Sequence, residues 1–317
     1  MKKIICLFPG QGSQYVGMGK SFLESDITDK IFKEAEESLG FSIKNIMLEG
    51  PEEKLKETQY TQPAILTHSW IIYNQLKKML SDKGLKIDCV LGHSVGEYSA
   101  LTAAETLSFK DAVKAVNLRG KFMQEATPIG TGAMYAILKV PMETIEKGCT
   151  AVSTKNSVVM PANINSSNQV VVSGHKEACE NFVSWLKENY QESFKAVPLQ
   201  VSAPFHSSLM KPAEEKLATF FNEISFDENQ YSYVDNLTAK LNDKNTSPDL
   251  IREKLIGQVS GTVKWEESLK LFKPEECLFL EVGPGKTLMG IARSIDRKYK
   301  VTPLDIENMD EKLGEIL

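Results

Sequence analysis

Short, uninterrupted apolar segments alternate with helical segments along this chain. Residues 4–8, 89–91 and 277–280 are apolar, too short for a buried helix, and each followed closely by glycine. Helical patterns cover residues 64–80, where Pro63 stands near the first turn, and residues 110–126. Buried strands that alternate with helices are typical of a parallel sheet covered on both faces. The sequence therefore predicts an α/β fold.

Residues 132–201 show a different order of elements. Strands are predicted at 133–138, 158–164, 169–173 and 194–201, and helices at 142–151 and 177–190. This order, βαββαβ, is that of a ferredoxin-like unit. We expect residues 132–201 to form a small domain inserted into a larger domain made of residues 1–131 and 202–317.

Composition argues against several classes of function. The formal net charge of -5 creates no overall field that attracts nucleic acid, and no apolar run approaches the ~18–20 residues that cross a membrane. The five cysteines are widely spaced and form no Cys-x-x-Cys pair, which argues against a zinc site and a disulfide framework. We expect a cytoplasmic protein without a metal.

A serine flanked by glycines follows the second apolar segment. Gly92-His93-Ser94-Val95-Gly96 stands between the strand at 89–91 and a helix-forming run. Two glycines permit the sharp strand-to-helix turn that exposes a serine hydroxyl and points helix N–H groups at the reaction centre. Ser94 is therefore a candidate nucleophile. The alternative is a tight turn in which Ser94 only caps the helix.

A serine nucleophile needs a base, and the chain has four histidines. His93 adjoins Ser94 on a sharp turn, where neighbouring side chains usually point apart. His68 lies among apolar residues of a helical pattern, and His175 begins a helix. His206 remains, in a loop at the predicted return to the larger domain, and such loops often carry catalytic groups. By elimination, His206 is the predicted base, while no acid stands out as a third member.

Arg119 lies in an apolar stripe of the helix predicted at 110–126. At about 100° per residue, Ala112, Val116 and Met123 share its face. A buried guanidinium is costly without an anionic partner. Two interpretations stay open at this point: an internal salt bridge, or a fork that binds a substrate carboxylate.

Seven ordered segments resemble the malonyl-CoA:acyl-carrier-protein transacylase family over essentially the whole chain. They are residues 8–14, 61–64, 92–101, 119–126, 162–165, 205–207 and 281–286. The resemblance implies an α/β-hydrolase-like large domain with a parallel sheet and an inserted ferredoxin-like domain. It also implies a free-standing acyltransferase that serves fatty-acid synthesis, with malonyl-CoA and acyl carrier protein as its partners and no cofactor of its own. We expect a monomer.

The resemblance assigns roles in the reaction. Malonyl-CoA would acylate Ser94, and the phosphopantetheine thiol of acyl carrier protein would then attack the acyl-enzyme, with His206 as the base. The backbone N–H groups of Gln11 and Val95 would form the oxyanion hole. Arg119 would bind the malonyl carboxylate.

The resemblance also has implications for three more residues. The backbone carbonyl of Gln258 would orient the base in place of an acid. Phe205 resembles the malonyl-selective version of its loop, in which an aromatic ring crowds the space of a 2-methyl branch. Tyr135 replaces a small residue expected in the family, which bears on the shape of the cleft between the domains.

Other functions share some of these features. A free-standing acyltransferase of a polyketide or lipopeptide assembly line would have nearly the same motifs. A serine esterase or thioesterase shares the turn around Ser94 but leaves Arg119 unexplained. A non-catalytic module that docks carrier proteins would not depend on Ser94.

Overall fold

The computed structural model describes residues 2–23, 26–201, 203–304 and 309–316. Ser202 and Leu317, the two ends of the second part of the predicted large domain, lie outside the described residues. Ten strands are described: β1 Lys3–Phe8, β2 Cys89–Gly92, β3 Gly132–Leu138, β4 Val159–Ser166, β5 Gln169–His175, β6 Lys195–Pro198, β7 Ser232–Val234, β8 Leu241–Asn242, β9 Cys277–Val282 and β10 Val301–Leu304.

Thirteen α-helices are also described. They are α1 Asp26–Leu39, α2 Ile43–Glu49, α3 Glu52–Lys56, α4 Thr58–Asp82, α5 Gly96–Ala103, α6 Phe109–Glu125, α7 Met142–Val152, α8 Lys176–Asn189, α9 Lys211–Phe220, α10 Pro248–Gly257, α11 Trp265–Lys270, α12 Thr287–Ile295 and α13 Met309–Ile316. None of the described helices is long and apolar enough to cross a membrane.

The larger sheet is built around the three apolar segments of the sequence. Its strands follow the order β10-β9-β1-β2-β7-β8, and every pair is parallel except β7 with β8. Both faces of the central strand β1 are covered: Cys6 and Phe8 belong to the core beneath α4, α5 and α6, whereas Ile5 and Leu7 pack with residues of α11 and α12. The prediction of a parallel sheet covered on both faces is confirmed.

Helix α4 begins earlier than the sequence predicts. Proline at position 63 suggests a start near Ala64, but the helix runs from Thr58 with Pro63 inside it. Pro63 has no N–H to offer the carbonyl of Gln59 one turn earlier. Asn117 of α6 compensates, because its Nδ2 donates to the Gln59 carbonyl oxygen at 2.8 Å. A tertiary contact that no local pattern reveals thus keeps the helix continuous.

The smaller sheet consists of four strands in the order β4-β5-β3-β6, all antiparallel. With helices α7 and α8 between them, the strands follow the predicted βαββαβ order, which is confirmed. β6 is shorter than predicted and ends at Pro198, although the Leu199 N–H still donates to the Met134 carbonyl. The sheet joins the rest of the chain where Val263 pairs with β4 through Ala162 and Ile164.

The alternation of side chains along β3 shows how the fold accommodates Tyr135, which stands where the family resemblance predicts a small residue. Met134 and Ala136 face the large core that includes α4 and α6. Tyr135 points to the opposite face and packs in the core between the smaller sheet and its helices, with Ile137 and Phe182. Tyr135 therefore does not alter the face that packs on the large core and lines the cavity, where Met134 lies instead.

Candidate active site

The turn around Ser94 requires its two glycines. β2 ends at Gly92 and α5 begins at Gly96, so three residues reverse the chain. A Cβ on Gly92 would lie 1.9 Å from the carbonyl carbon of Gly96, and a Cβ on Gly96 would lie 2.2 Å from the carbonyl oxygen of Phe8. Ser94 itself has a φ of 53°, a left-handed conformation that costs a non-glycine residue about 1–2 kcal/mol.

Asn236 holds this turn in place. Its Oδ1 accepts a hydrogen bond of 2.8 Å from the Ser94 N–H, and its Nδ2 donates to the Gly92 carbonyl at 2.6 Å. Asn236 follows β7, the neighbour of β2 in the sheet. The strained conformation of Ser94 is thus fixed from the adjacent strand.

His206 forms the expected pair with Ser94. Its Nε2 lies 2.7 Å from the Ser94 Oγ, and its Nδ1 lies 2.9 Å from the Gln258 carbonyl oxygen and 3.2 Å from that of Gly261. Carbonyl oxygens only accept hydrogen bonds, so this network assigns the proton to Nδ1 and leaves Nε2 as the acceptor. The pair can move the hydroxyl proton from serine to imidazole.

The surroundings of His206 keep its imidazole neutral. Burial and the nearby charge of Arg119 lower the pKa of His206 to about 3. At pH 7 the Nε2 lone pair is therefore free to accept a proton.

Arg119 is buried beside this pair, with 2% of its surface exposed. Its Nη1 donates to Gln62 Oε1 at 2.8 Å, and its Nη2 donates to Gln258 Oε1 at 2.9 Å and to Ser94 Oγ at 3.2 Å. None of the ion pairs within the described ranges includes Arg119. The internal salt bridge is therefore not found, and neutral groups hold the guanidinium.

These side chains line a cavity of about 120 Å³. Its walls are Gln11, Gln62, His93, Ser94, Arg119, Met123, Met134, Asn163, Leu199, Val201, Phe205 and His206. A neighbouring cavity of about 410 Å³ shares Gln11, His93, Asn163 and Leu199 with it and extends to α12. Residues that follow strands of the larger sheet and residues of the smaller sheet thus line one depression around Ser94.

Gln11 lines this depression, and Val95 directly follows the nucleophile at the start of α5. Gly10, before Gln11, approaches the turn so closely that a Cβ on it would lie 2.5 Å from the His93 carbonyl oxygen. Within the described part of the chain, the backbone N–H groups of Gln11 and Val95 donate to no protein acceptor. Two unused donors near a nucleophile could stabilise a developing oxyanion.

The other three histidines have different surroundings. His93 lines the cavity, but its Nε2 lies 2.8 Å from Asn165 Oδ1. His68 is buried within α4, and His175 Nδ1 accepts from the Val158 N–H at 3.0 Å. Across the described residues, no group of three or more His, Cys, Asp or Glu side chains is arranged to hold a metal.

Three polar side chains of this site have no role predicted from the sequence: Gln62, Glu97 and Asn236. Gln62 and Glu97 lie inside segments that carry the family resemblance, which was the available signal. Asn236 lies outside every such segment. Its position is visible only when β7 is placed beside β2.

The chain is similar to known proteins over nearly its whole length. Residues 5–306 match the family described as acyl transferase domain. The malonyl CoA-acyl carrier protein transacylase of Bacillus subtilis (strain 168) is 41% identical over 302 residues, which are 95% of this chain and 92% of that protein. The chain belongs to the malonyl CoA-acyl carrier protein transacylase family. The resemblance seen in the sequence is confirmed, and the chain is an acyltransferase.

Solved structures agree with this assignment. The malonyl CoA-acyl carrier protein transacylase (fabD) from Coxiella burnetii is 36% identical, with a TM-score of 0.91 over 99% of this chain and 98% of that one. A malonyl-transacylase in complex with its type II PKS acyl-carrier protein is also 36% identical, with a TM-score of 0.90 over 99% of both chains. These similarities confirm the predicted fold class.

Proposed function

We propose that this chain transfers a malonyl group from malonyl-CoA to the phosphopantetheine thiol of acyl carrier protein and so supplies fatty-acid synthesis. The observation that carries the proposal is Arg119, a buried guanidinium with no carboxylate partner among the described residues, 3.2 Å from the Ser94 Oγ. A substrate carboxylate would provide the missing anion. The names of the relatives support the same substrate and the same acceptor.

The first half-reaction would acylate Ser94. His206 Nε2 takes the hydroxyl proton while Oγ attacks the thioester carbonyl of malonyl-CoA. The N–H groups of Gln11 and Val95 hold the resulting oxyanion. Collapse of the tetrahedral intermediate breaks the carbon–sulfur bond, and the imidazolium returns its proton to the departing CoA thiolate, which leaves malonyl-Ser94.

The second half-reaction reverses these roles. The phosphopantetheine thiol gives its proton to His206 Nε2 and attacks the ester carbonyl. Collapse breaks the bond to Oγ, which regains the proton, and malonyl leaves as a thioester. Throughout the reaction the Gln258 carbonyl accepts a hydrogen bond from the Nδ1–H and so stabilises the imidazolium that forms in each half-reaction.

Arg119 and Phe205 would select the acyl group. A bidentate contact of the guanidinium with the free carboxylate anchors malonyl and turns its thioester carbonyl toward Ser94. Phe205 is largely buried and lines the 120 Å³ cavity. Its ring would occupy the space that the branch of methylmalonyl needs.

A polyketide acyl carrier protein is the second candidate acceptor, because a relative of equal similarity was solved with one. Rates of transfer from malonyl-CoA to a fatty-acid carrier protein and to a polyketide carrier protein distinguish the two pathways. We expect faster transfer to the fatty-acid carrier protein. Equal or faster transfer to the polyketide carrier would overturn the pathway assignment, and rapid hydrolysis without transfer to either would indicate an esterase.

Two further proposals concern the domain boundaries and the cellular compartment of the protein. We place the small domain at residues 132–201, inserted between 1–131 and 202–317, which the separate core of the smaller sheet supports. We also place the protein in the cytoplasm. All five cysteines are buried and free, as expected in a reducing compartment.

A further inference from the structure

Glu97 is a buried acid in the first turn of α5, three residues after Ser94. Only 1% of its surface is exposed, and it lines neither cavity beside the nucleophile. Its Oε2 accepts two hydrogen bonds, from the Asn236 N–H at 3.2 Å and from Gln258 Nε2 at 2.9 Å. Its Oε1 has no partner among the described groups. Its side chain therefore makes its hydrogen bonds to the described residues through one oxygen atom.

The first contact leads to the nucleophile. Asn236 bridges the Ser94 N–H and the Gly92 carbonyl with its side chain. Its backbone N–H is the group that Glu97 accepts. Glu97 thus fixes the residue that holds the left-handed turn at Ser94.

The second contact leads to the base and to the arginine. Both Nε2 hydrogens of Gln258 are engaged, one by Glu97 and one by the Ser94 carbonyl oxygen at 2.8 Å. Its Oε1 is left to face Arg119 Nη2, and its backbone carbonyl faces His206 Nδ1. The orientation of this amide therefore decides whether Arg119 meets an acceptor or a donor.

We propose that Glu97 is a positioning residue for acyl transfer, which acts through its acceptor oxygen Oε2 and not through a negative charge. The inference rests on the proposed function, and it adds a residue that touches neither the substrate nor the reacting atoms. Burial also raises the pKa of Glu97 to about 8, so its carboxyl is mostly neutral at pH 7. Glutamine is then a close substitute in shape and charge.

Two substitutions separate the acceptor from the charge. Glu97→Gln keeps an oxygen for Asn236 and Gln258 and places its NH₂ where Oε1 has no partner, so we expect transfer within about threefold of the parent. Glu97→Met keeps the length but removes the acceptor. We expect its kcat to fall on the order of 10²-fold with malonyl-CoA and with acetyl-CoA alike, because Ser94 and His206 act on both donors. The KM for malonyl-CoA, but not that for acetyl-CoA, should also rise, because only malonyl uses Arg119.

A matched control and a double variant exclude a general loss of structure. Thr102→Val removes another buried polar group of α5, whose hydroxyl donates to the Tyr98 carbonyl, and should leave kcat unchanged whatever its effect on melting temperature. Gln258→Met combined with Glu97→Met should cost much less than the product of the two single losses, because one residue acts through the other. Rates are measured per folded molecule, with circular dichroism as the check.

Each outcome decides the proposal. If Glu97→Gln loses activity on the order of 10²-fold, the charge is needed and the proposal is wrong, even if Glu97→Met fails to fold. Parent-like kcat in Glu97→Met would also overturn it. A parent enzyme that does not transfer malonyl would instead refute the proposed function, so the two failures can be told apart.

Discussion

The Nε2 atom of His206 lies 2.7 Å from the Oγ of Ser94, although 112 positions separate the two residues in the chain. Both residues have left-handed backbone conformations, with φ values of 57° and 53°. Each such conformation costs on the order of 1–3 kcal/mol and persists only where the surroundings impose it. The Gln258 carbonyl oxygen, which accepts from His206 Nδ1, and Asn236 Oδ1, which accepts from the Ser94 N–H, provide those constraints.

This pairing predicts that His206 is the base. Replacing His206 with alanine should lower malonyl transfer on the order of 10²-fold or more, because no other imidazole reaches the Ser94 hydroxyl. His175→Ala is the control and should stay within a few-fold of the parent. Robust turnover by a correctly folded His206→Ala variant, judged by circular dichroism, would refute the assignment.

The lowered pKa of His206 predicts an unusual pH profile. Its folded-state pKa of about 3 lies below the ordinary value of 6.5, so the base stays neutral as the pH falls through 6.5. Acylation by acetyl-CoA should therefore show no loss of rate centred near 6.5. The same shift lowers folding stability between pH 6.5 and 3, because the unfolded chain binds a proton that the folded chain excludes.

A second measurement tests the causes of this shift. Burial is the larger cause and the charge of Arg119 the next. In Arg119→Ala the acidic limb of the acetyl profile should move to higher pH but remain below 6.5. The range is limited to pH values at which circular dichroism shows the folded protein. A limb at 6.5 in the parent would contradict the neutral, buried base.

Arg119 is expected to decide which acyl group is used. Arg119→Ala should weaken malonyl transfer by about 2–5 kcal/mol, the range for removal of one partner of a buried charge pair. Transfer from acetyl-CoA should be unchanged or faster, because acetyl has no carboxylate to leave unpaired. Arg252→Ala, which removes an arginine paired at the surface with Asp249, serves as the control.

The competing account of Arg119 makes a different prediction. If the guanidinium only supports the fold, malonyl and acetyl transfer should fall equally while the melting temperature drops markedly. Both rates and the melting temperature are measured on one preparation. Equal losses would show that the specificity argument is wrong.

Phe205 is expected to exclude branched substrates. Phe205→Ala should raise the use of methylmalonyl-CoA relative to malonyl-CoA on the order of 10-fold, the discrimination that one methyl-sized group provides in a pocket. The two donors are compared in competition, with the acylated products separated by mass. An unchanged ratio, in a variant that retains malonyl transfer, would remove Phe205 from the account of selectivity.

Local patterns predicted the elements of the fold because buried strands and helices require apolar residues at characteristic spacings. The continuous apolar runs are strands β1, β2 and β9 in the structure, and the predicted βαββαβ order of strands and helices is also found. The start of α4 was missed because its proline is accommodated by Asn117 of another helix. The orientation of Tyr135 depends on which face of β3 meets the large core, and that face is set by tertiary packing.

The same distinction holds in the active site. Ser94 lies in a local motif, and Arg119 is an anomaly within an apolar stripe, so both could be singled out from the sequence. The roles of Gln11, Val95, Phe205 and Gln258 came from the family resemblance. Asn236 acts across two strands that are distant in the chain, and a contact of this kind has no local signature.

The most direct test of the central claim is the mass of the intact protein after incubation with malonyl-CoA and no acceptor. The parent should gain the mass of one malonyl group, and peptide mapping should locate that group on Ser94. Ser94→Ala should gain nothing and should not transfer malonyl to acyl carrier protein. A malonyl adduct on Ser94→Ala, or transfer by this variant at the parent rate, would contradict the mechanism.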